Sequence, residues 1–219
     1  MIREHHIRVS RTARYHVLGD VGTASEWWVV VHGYGQLAGR FIRRFRPLPG
    51  VVEGRRAVVA PEALSRFYVE REVGPHGPAS TVGASWMTRQ DRQAEIRDYV
   101  EYLDRVTEAV LPTAPARLVV LGFSQGSETA SRWVTLGRVR PAQLVLWGGG
   151  LAEDLEREAL GARLRGVRVR LVVGSRDRWG RSRASDTERA LEGLGVELER
   201  IEYEGGHRVE AAILERHWG

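Results

Sequence analysis

The stretch Leu118–Gly126, which reads LVVLGFSQG, decides the fold. Its four leading apolar residues predict a strand buried on both faces, as in parallel sheets. The G-x-S-x-G turn that follows leads directly into the helical pattern of Ser124–Leu136. Glycines flank the serine because larger neighbours would clash in so sharp a turn. The bare pattern also arises by chance, but this strand–turn–helix setting favours a nucleophilic serine.

Short β-branched runs alternate with segments of helical periodicity on both sides of this stretch. The predicted strands are Trp27–His32, Ala57–Pro61, Arg117–Gly122, Gln143–Trp147, Val167–Gly174 and Val196–Tyr203. The predicted helices are Leu37–Phe45, Arg89–Val110, Ser124–Leu136, Glu153–Leu164, Ser182–Leu194 and Val209–Trp218. Upstream, His6–Leu18 alternates and predicts one or two antiparallel edge strands. We therefore expect an α/β fold with a mostly parallel central sheet, helices on both faces and a site at the carboxyl ends of the strands.

Composition narrows the class of protein. The 219 residues suit one core, and neither repeat nor linker divides them, so we predict a single domain over residues 1–219. The absence of cysteine excludes a disulfide scaffold, a thiolate metal site and a cysteine nucleophile. Because the N-terminus lacks a secretory pattern and apolar runs are short, we expect a cytoplasmic protein without stable membrane insertion.

The net charge of +5 rests on arginine, since the chain contains no lysine. The arginines of Arg157–Arg168 and Arg181–Arg200 are interleaved with acidic residues, which is typical of solvated helix faces with ion pairs. We therefore expect no nucleic-acid partner, with salt-sensitive DNA binding through the arginines as the alternative. Neither metal-ligand spacing nor a phosphate-binding glycine loop is visible, so we predict no metal and no cofactor.

Two later strand ends supply a base and an acid for Ser124. Asp177 follows the predicted strand Val167–Gly174, and His207 follows the last predicted strand on a Gly-Gly loop. The order serine, acid, histidine is that of enzymes with this type of turn. The alternatives are a helix cap or turn residue at Asp177, with Asp186 or Glu204 as the acid, and His76 as the base. The pattern thus predicts a catalytic triad of Ser124, Asp177 and His207.

A fourth part precedes these three. Val29–Gln36 reads VVVHGYGQ, a buried strand that opens into a His-Gly loop. Such loops supply one of two backbone N–H donors that stabilise an oxyanion. We predict that the N–H groups of Tyr34 and Gln125 form this pair. His32 is expected to hold the loop through its ring nitrogens.

Together these motifs resemble those of the phospholipase/carboxylesterase family of small α/β-hydrolases, which includes acyl-protein thioesterase-like enzymes. The matching segments are HGYG at 32–35, GFSQG at 122–126, GSRD at 174–177 and GGH at 205–207. The resemblance implies an α/β-hydrolase fold without a large cap domain, the same triad and the same oxyanion amides. It alone suggests a homodimer. Tyr34 stands where the family usually has leucine, and we expect it to narrow the acyl entrance.

The segment Ser65–Thr88 carries aromatic residues but no pattern of a helical cap. We therefore expect an open site for acyl esters with short or medium acyl chains. The predicted pocket-lining residues are Phe67, Tyr68, Trp86, Met87 and Trp179, with ordinary core packing as the alternative. The sequence thus predicts a carboxylesterase-type serine hydrolase that forms an acyl-enzyme. A thioesterase or acyltransferase with the same triad, or a non-catalytic binding module, stays open.

Overall fold

Parallel strands form the centre of the molecule. The structure is a computed structural model that describes residues 1–69, 76–111 and 117–219. Its strands are β1 (Tyr15–Leu18), β2 (Glu26–Val31), β3 (Arg56–Pro61), β4 (Ser65–Tyr68), β5 (Val82–Ser85), β6 (Leu118–Phe123), β7 (Gln143–Trp147), β8 (Arg168–Gly174) and β9 (Leu198–Tyr203). Seven of them form one sheet in the order β1-β3-β2-β6-β7-β8-β9. Only β1 runs antiparallel to its neighbour in this sheet, which confirms the mostly parallel arrangement.

Helices cover both faces of this sheet, as predicted. They are α1 (Ala38–Phe41), α2 (Arg92–Val110), α3 (Gln125–Leu136), α4 (Arg157–Leu164), α5 (Arg178–Leu191) and α6 (Ala211–Trp218), and a 3-10 turn (Ile42–Phe45) extends α1. Because successive side chains of a strand point to opposite faces, Val120 of β6 packs with α2–α5 and Leu121 packs with α1 and α6. No described helix is both long and apolar enough to cross a bilayer.

Several local predictions differ from the structure, and helix α4, for example, begins four residues after the predicted Glu153. The edge segment His6–Leu18 contributes one strand, β1, and residues 1–14 form none. Helix α5 begins four residues before the predicted Ser182, because the Asp177 side chain caps it by accepting a hydrogen bond from Gly180 N–H at 2.9 Å. The segment Ser65–Thr88 contains an unpredicted hairpin of β4 and β5, although part of that segment lies outside the described residues.

Candidate active site

Ser124 occupies the sharp turn between β6 and α3. Its backbone has φ 55° and ψ −123°, a left-handed conformation that a side-chain-bearing residue rarely adopts. A Cβ on Gly122 would overlap the Gly126 carbonyl oxygen, and one on Gly126 would overlap Val31 O. Both glycines are therefore required for α3 to leave β6 at this angle and to pack on β2. The turn presents the Ser124 hydroxyl at the carboxyl edge of the sheet.

His207 links Ser124 to a buried carboxylate. Its Nε2 lies 2.9 Å from Ser124 Oγ, and its Nδ1 lies 2.6 Å from Asp177 Oδ2. An ionised carboxylate only accepts, so Nδ1–H donates to Asp177 and Nε2 is left to accept from the Ser124 hydroxyl. The Asp177 side chain is 4% exposed, whereas that of His207 is 39% exposed. This geometry allows proton transfer from serine to histidine at a site that solvent reaches.

The acid is held on two sides by glycines that the sequence patterns did not single out. A Cβ on Gly148 would lie 3.1 Å from both Asp177 Oδ2 and His207 Nδ1, and one on Gly180 would overlap Asp177. Gly148 also has a positive φ of 56°. The sequence does mark this position, because Gly148 is the first of three consecutive glycines that directly follow β7. The pair of Asp177 and His207 therefore has room only because positions 148 and 180 carry no side chain.

The alternative acids and base have other partners. His76 stacks on Tyr68, with ring centroids 3.8 Å apart. Asp186 and Glu204 each pair with arginine side chains. The structure thus brings Asp177 and His207 to Ser124. The alternative residues contact other side chains.

Two backbone donors lie unused beside Ser124. Within the described residues, the N–H groups of Tyr34 and Gln125 have no hydrogen-bond partner. Gln125 is the first residue of α3, where N–H groups lack partners inside the helix. The other loop is close, since a Cβ on Gly33 would lie 3.1 Å from Ser124 Cβ. Free N–H groups at this point are the arrangement that stabilises a developing oxyanion.

The hairpin of β4 and β5 fixes the loop that carries Tyr34. Gly35 N–H donates to Ala84 O at 2.9 Å, and Ala84 N–H donates to Gln36 O at 3.1 Å. The side chain of Gln36 accepts from Gly33 N–H at 3.0 Å. A short antiparallel bridge therefore sets the direction of the loop, which the sequence alone did not reveal.

The side chain of Gln125 ties the serine turn to the same hairpin. Its Nε2 donates to Met87 O at 2.9 Å, and its Oε1 accepts from Trp86 N–H at 3.2 Å. A second donation from Nε2 reaches Ser85 Oγ at 3.2 Å. One amide side chain thus connects both predicted sides of the oxyanion site.

His32 is buried and neutral. Its Nδ1–H donates to Gly33 O at 2.8 Å, and its Nε2 accepts from Ala63 N–H at 3.1 Å. Burial lowers the pKa of His32 to about 4, against the weaker raising effects of its bond to Gly33 and the charge of Glu62. Both ring nitrogens of His32 therefore form hydrogen bonds with backbone groups, in line with the predicted role of His32 in holding the loop.

Two of the predicted pocket residues, Trp86 and Met87, form hydrogen bonds with the residues of the oxyanion loop and the serine turn. Trp86 is buried in the core, and its indole N–H donates to His32 O at 2.8 Å. The Met87 sulfur lies 3.5 Å from an Arg132 nitrogen, while its carbonyl accepts from Gln125. For Trp86, the placement favours the core alternative over the acyl pocket.

The other predicted pocket residues lie at the surface. The Trp179 ring, 46% exposed, stands edge-on to the His207 ring at 5.7 Å between centroids. Tyr34, 61% exposed, has its ring 5.2 Å from that of Phe67. Tyr68 is exposed, and its ring stacks on that of His76. Trp179, Tyr68 and the pair of Tyr34 and Phe67 thus remain predicted substrate contacts.

Comparison with known proteins relies on structure. No family model and no curated protein matches the sequence. Among solved structures, the acyl-protein thioesterase 2 of Zea mays matches with TM-score 0.67 and 18% identity over 95% of this chain and 100% of that one. A carboxylesterase of Mesorhizobium loti gives TM-score 0.69 and 20% identity over 93% of both chains. A phospholipase/carboxylesterase of Dyadobacter fermentans gives TM-score 0.64 and 18% identity over 96% of this chain and 98% of that one.

The chain has the α/β-hydrolase fold. This confirms, at the level of the fold, the likeness that the motifs predicted. In this α/β-hydrolase fold, the strands β6, β8 and β9 each deliver one member of the serine–acid–histidine set at their carboxyl ends. No large cap domain occurs among the described residues. Between β3 and α2, the elements that the structure describes are the two strands of the β4–β5 hairpin.

Proposed function

We propose that the protein is a serine hydrolase of the phospholipase/carboxylesterase family that cleaves carboxylic esters of short to medium acyl chains. The observation that carries this proposal is the continuous path from Ser124 through His207 to Asp177, at 2.9 and 2.6 Å. Two free backbone donors stand beside it. We further propose that it acts in the cytoplasm and needs no cofactor.

In the first step, Ser124 Oγ attacks the acyl carbonyl carbon while His207 Nε2 takes the hydroxyl proton. The carbonyl oxygen becomes an oxyanion, which the N–H groups of Tyr34 and Gln125 stabilise. Asp177 keeps Nδ1 protonated and stabilises the imidazolium. His207 then gives its proton to the departing alkoxide, and the acyl group stays on Ser124 as an ester.

In the second step, water enters from the exposed side of His207. His207 Nε2 takes a proton from the water, whose oxygen attacks the acyl-enzyme. Collapse of the second oxyanion breaks the bond to Ser124, which recovers a proton from His207. The products are a carboxylic acid and an alcohol. The open rim supports hydrolysis of accessible esters, because no described element covers His207.

Labelling with a fluorophosphonate probe tests the nucleophile and the base together. We expect mass spectrometry to locate the adduct on Ser124 in the wild type. The adduct is expected to vanish in His207→Ala and to persist in the control His76→Ala, which removes the rival histidine. Labelling of another residue, or full labelling of His207→Ala, would contradict the proposal.

A panel of p-nitrophenyl esters of increasing chain length then tests the substrate class. We expect kcat/KM to be highest for short and medium acyl chains, because the site is open and lacks a described tunnel. A steep preference for long chains would overturn this part. Faster cleavage of thioesters than of matched oxygen esters would indicate a thioesterase instead.

A further inference from the structure

Four exposed arginines lie together on one short stretch of chain. Arg40, Arg43, Arg44 and Arg46 project from α1 and the 3-10 turn, whose apolar residues face the core. We call these four side chains the arginine patch. No acidic residue occurs in the sequence between Glu26 and Glu53, so the stretch has no local counter-charge.

The arginine patch differs from the other charged surfaces of the protein. Many arginines elsewhere pair with carboxylates, as Arg138 does with Glu108 and Arg168 with Glu197. Within the described residues, no ion pair reaches any arginine of the patch, although α1 and its 3-10 turn pack against β1, β3 and α6. Four adjacent cations without partners create a positive potential that attracts an anionic surface.

The patch is attached to the catalytic edge of the sheet. Arg40 follows the oxyanion loop by six residues, counted from Tyr34. Phe41, on the inner side of α1, lies 6.0 Å from the Phe123 ring, and Phe123 lies 4.9 Å from the His207 ring. The helix that carries the patch is therefore linked to His207 through two ring contacts.

We propose that the arginine patch docks the protein on the anionic surface of a lipid bilayer. Anionic headgroups would pair with the arginines, and the headgroup level favours exposed amphipathic rings such as those of Tyr34 and Trp179. A nucleic acid offers phosphates without an apolar layer, so it matches only half of these features. The benefit to catalysis rests on the proposed function, because acyl esters concentrate at such an interface.

Vesicle flotation tests this docking. The samples are the full-length wild type, the patch variant Arg40→Gln/Arg43→Gln/Arg44→Gln and the control variant Arg89→Gln/Arg97→Gln/Arg165→Gln. The control removes three exposed arginines that form no ion pair in the described residues, so both variants have the same net charge. Vesicles of phosphatidylcholine alone are compared with vesicles that also contain phosphatidylserine.

We expect the wild type and the control variant to bind vesicles that contain phosphatidylserine and not to bind vesicles of phosphatidylcholine alone. Partition of the patch variant should fall about tenfold or more, because each arginine near an anionic surface contributes several-fold. Added salt should weaken wild-type binding. Equal losses in both variants, or no wild-type binding, would overturn the proposal. Tighter patch-dependent binding to duplex DNA than to vesicles would also overturn it, in favour of a nucleic acid.

Hydrolysis of a water-soluble ester separates this inference from the proposed function. All three proteins should hydrolyse it at the same rate, which shows that they are folded and that the patch is not catalytic. If none of them hydrolyses esters while the patch still controls vesicle binding, the proposed function fails and the docking surface stands. If esterase activity is present and vesicle binding is absent, the opposite holds.

Discussion

The floor and the rim of the site differ in how tightly the structure holds them. The floor consists of Ser124, Asp177 and the glycines around them, where added side-chain atoms would overlap neighbours. The rim consists of Tyr34 and Trp179, whose side chains are about half exposed or more and contact few groups. The floor is thus specified by backbone packing, while the rim can change without disturbing the chemistry. Substitutions in the two regions should therefore differ in size and kind.

The largest effect is expected at the acid. Asp177→Asn should lower kcat about 10⁴-fold, because the amide favours the wrong tautomer of His207 and cannot stabilise the imidazolium. Asparagine still caps α5, so thermal unfolding should change little. Steady-state kinetics and a circular-dichroism melt on the same sample check both parts. A loss of less than tenfold would mean that Asp177 does not orient the base.

The next effect concerns pH and the buried His32. Its folded pKa of about 4 lies below the ordinary value of about 6.5, so the unfolded chain binds a proton in this window that the folded chain refuses. The stabilisation is complete above pH 6.5 and is lost as the pH falls towards 4. Between pH 7.5 and 5 this should lower the free energy of unfolding by about 2 kcal/mol.

Urea unfolding at several pH values measures this loss. His32→Gln should be less stable at neutral pH but should lack the His32 part of the slope between pH 6.5 and 5. Few carboxylates titrate in that window, so the difference between the two proteins isolates one histidine. Identical slopes would assign the pH dependence to other groups.

A smaller effect is expected at Gly148. Gly148→Ala should lower kcat about tenfold, because its Cβ would push against the Asp177–His207 pair, whose alignment sets the rate. Gly166→Ala is a matched control, since Gly166 also has a positive φ (76°) but a Cβ added there would meet no atom within 4 Å. Both variants should lose about 1 kcal/mol of stability from backbone strain. Equal kcat values in the two variants would show that the floor tolerates the extra atom.

The smallest effect is expected at the rim. Trp179→Ala should raise KM about two- to threefold and leave kcat unchanged, because a half-exposed ring gives binding shared by ground and transition states. Leu136→Ala, which removes another exposed apolar side chain at the end of α3, is the control. A large fall in kcat would place Trp179 in the floor and would break the distinction between the two regions.

The same distinction explains what the sequence predicts well. The run Leu118–Gly126 identified the serine turn because burial demands continuous apolar residues and close packing demands glycine. Asp177 and His207 followed from their places after later strands, since parallel strands end at one edge. Local composition was enough for the triad and for the glycines of the serine turn, but it did not single out Gly148 and Gly180, whose contact with Asp177 depends on the folded chain.

Features built from distant pairing were not predictable in this way. The strands β4 and β5 pair with each other and lack a continuous β-branched run, so their sequences carry no strong strand signal. Their hold on the oxyanion loop depends on Ala84, about fifty residues along the chain. Trp86 looked like a pocket residue by composition, but only its packing and its bond to His32 O show that it belongs to the core.

One carboxylate performs two tasks in this protein. Asp177 Oδ1 accepts the Gly180 N–H that begins α5, and Oδ2 accepts the proton of His207. A nascent chain in which α5 has not yet formed therefore has no oriented base, and its serine is an ordinary alcohol. Under the proposed function, reactivity would therefore appear only when the last third of the polypeptide is in place, and newly made or partly unfolded molecules would not cleave esters.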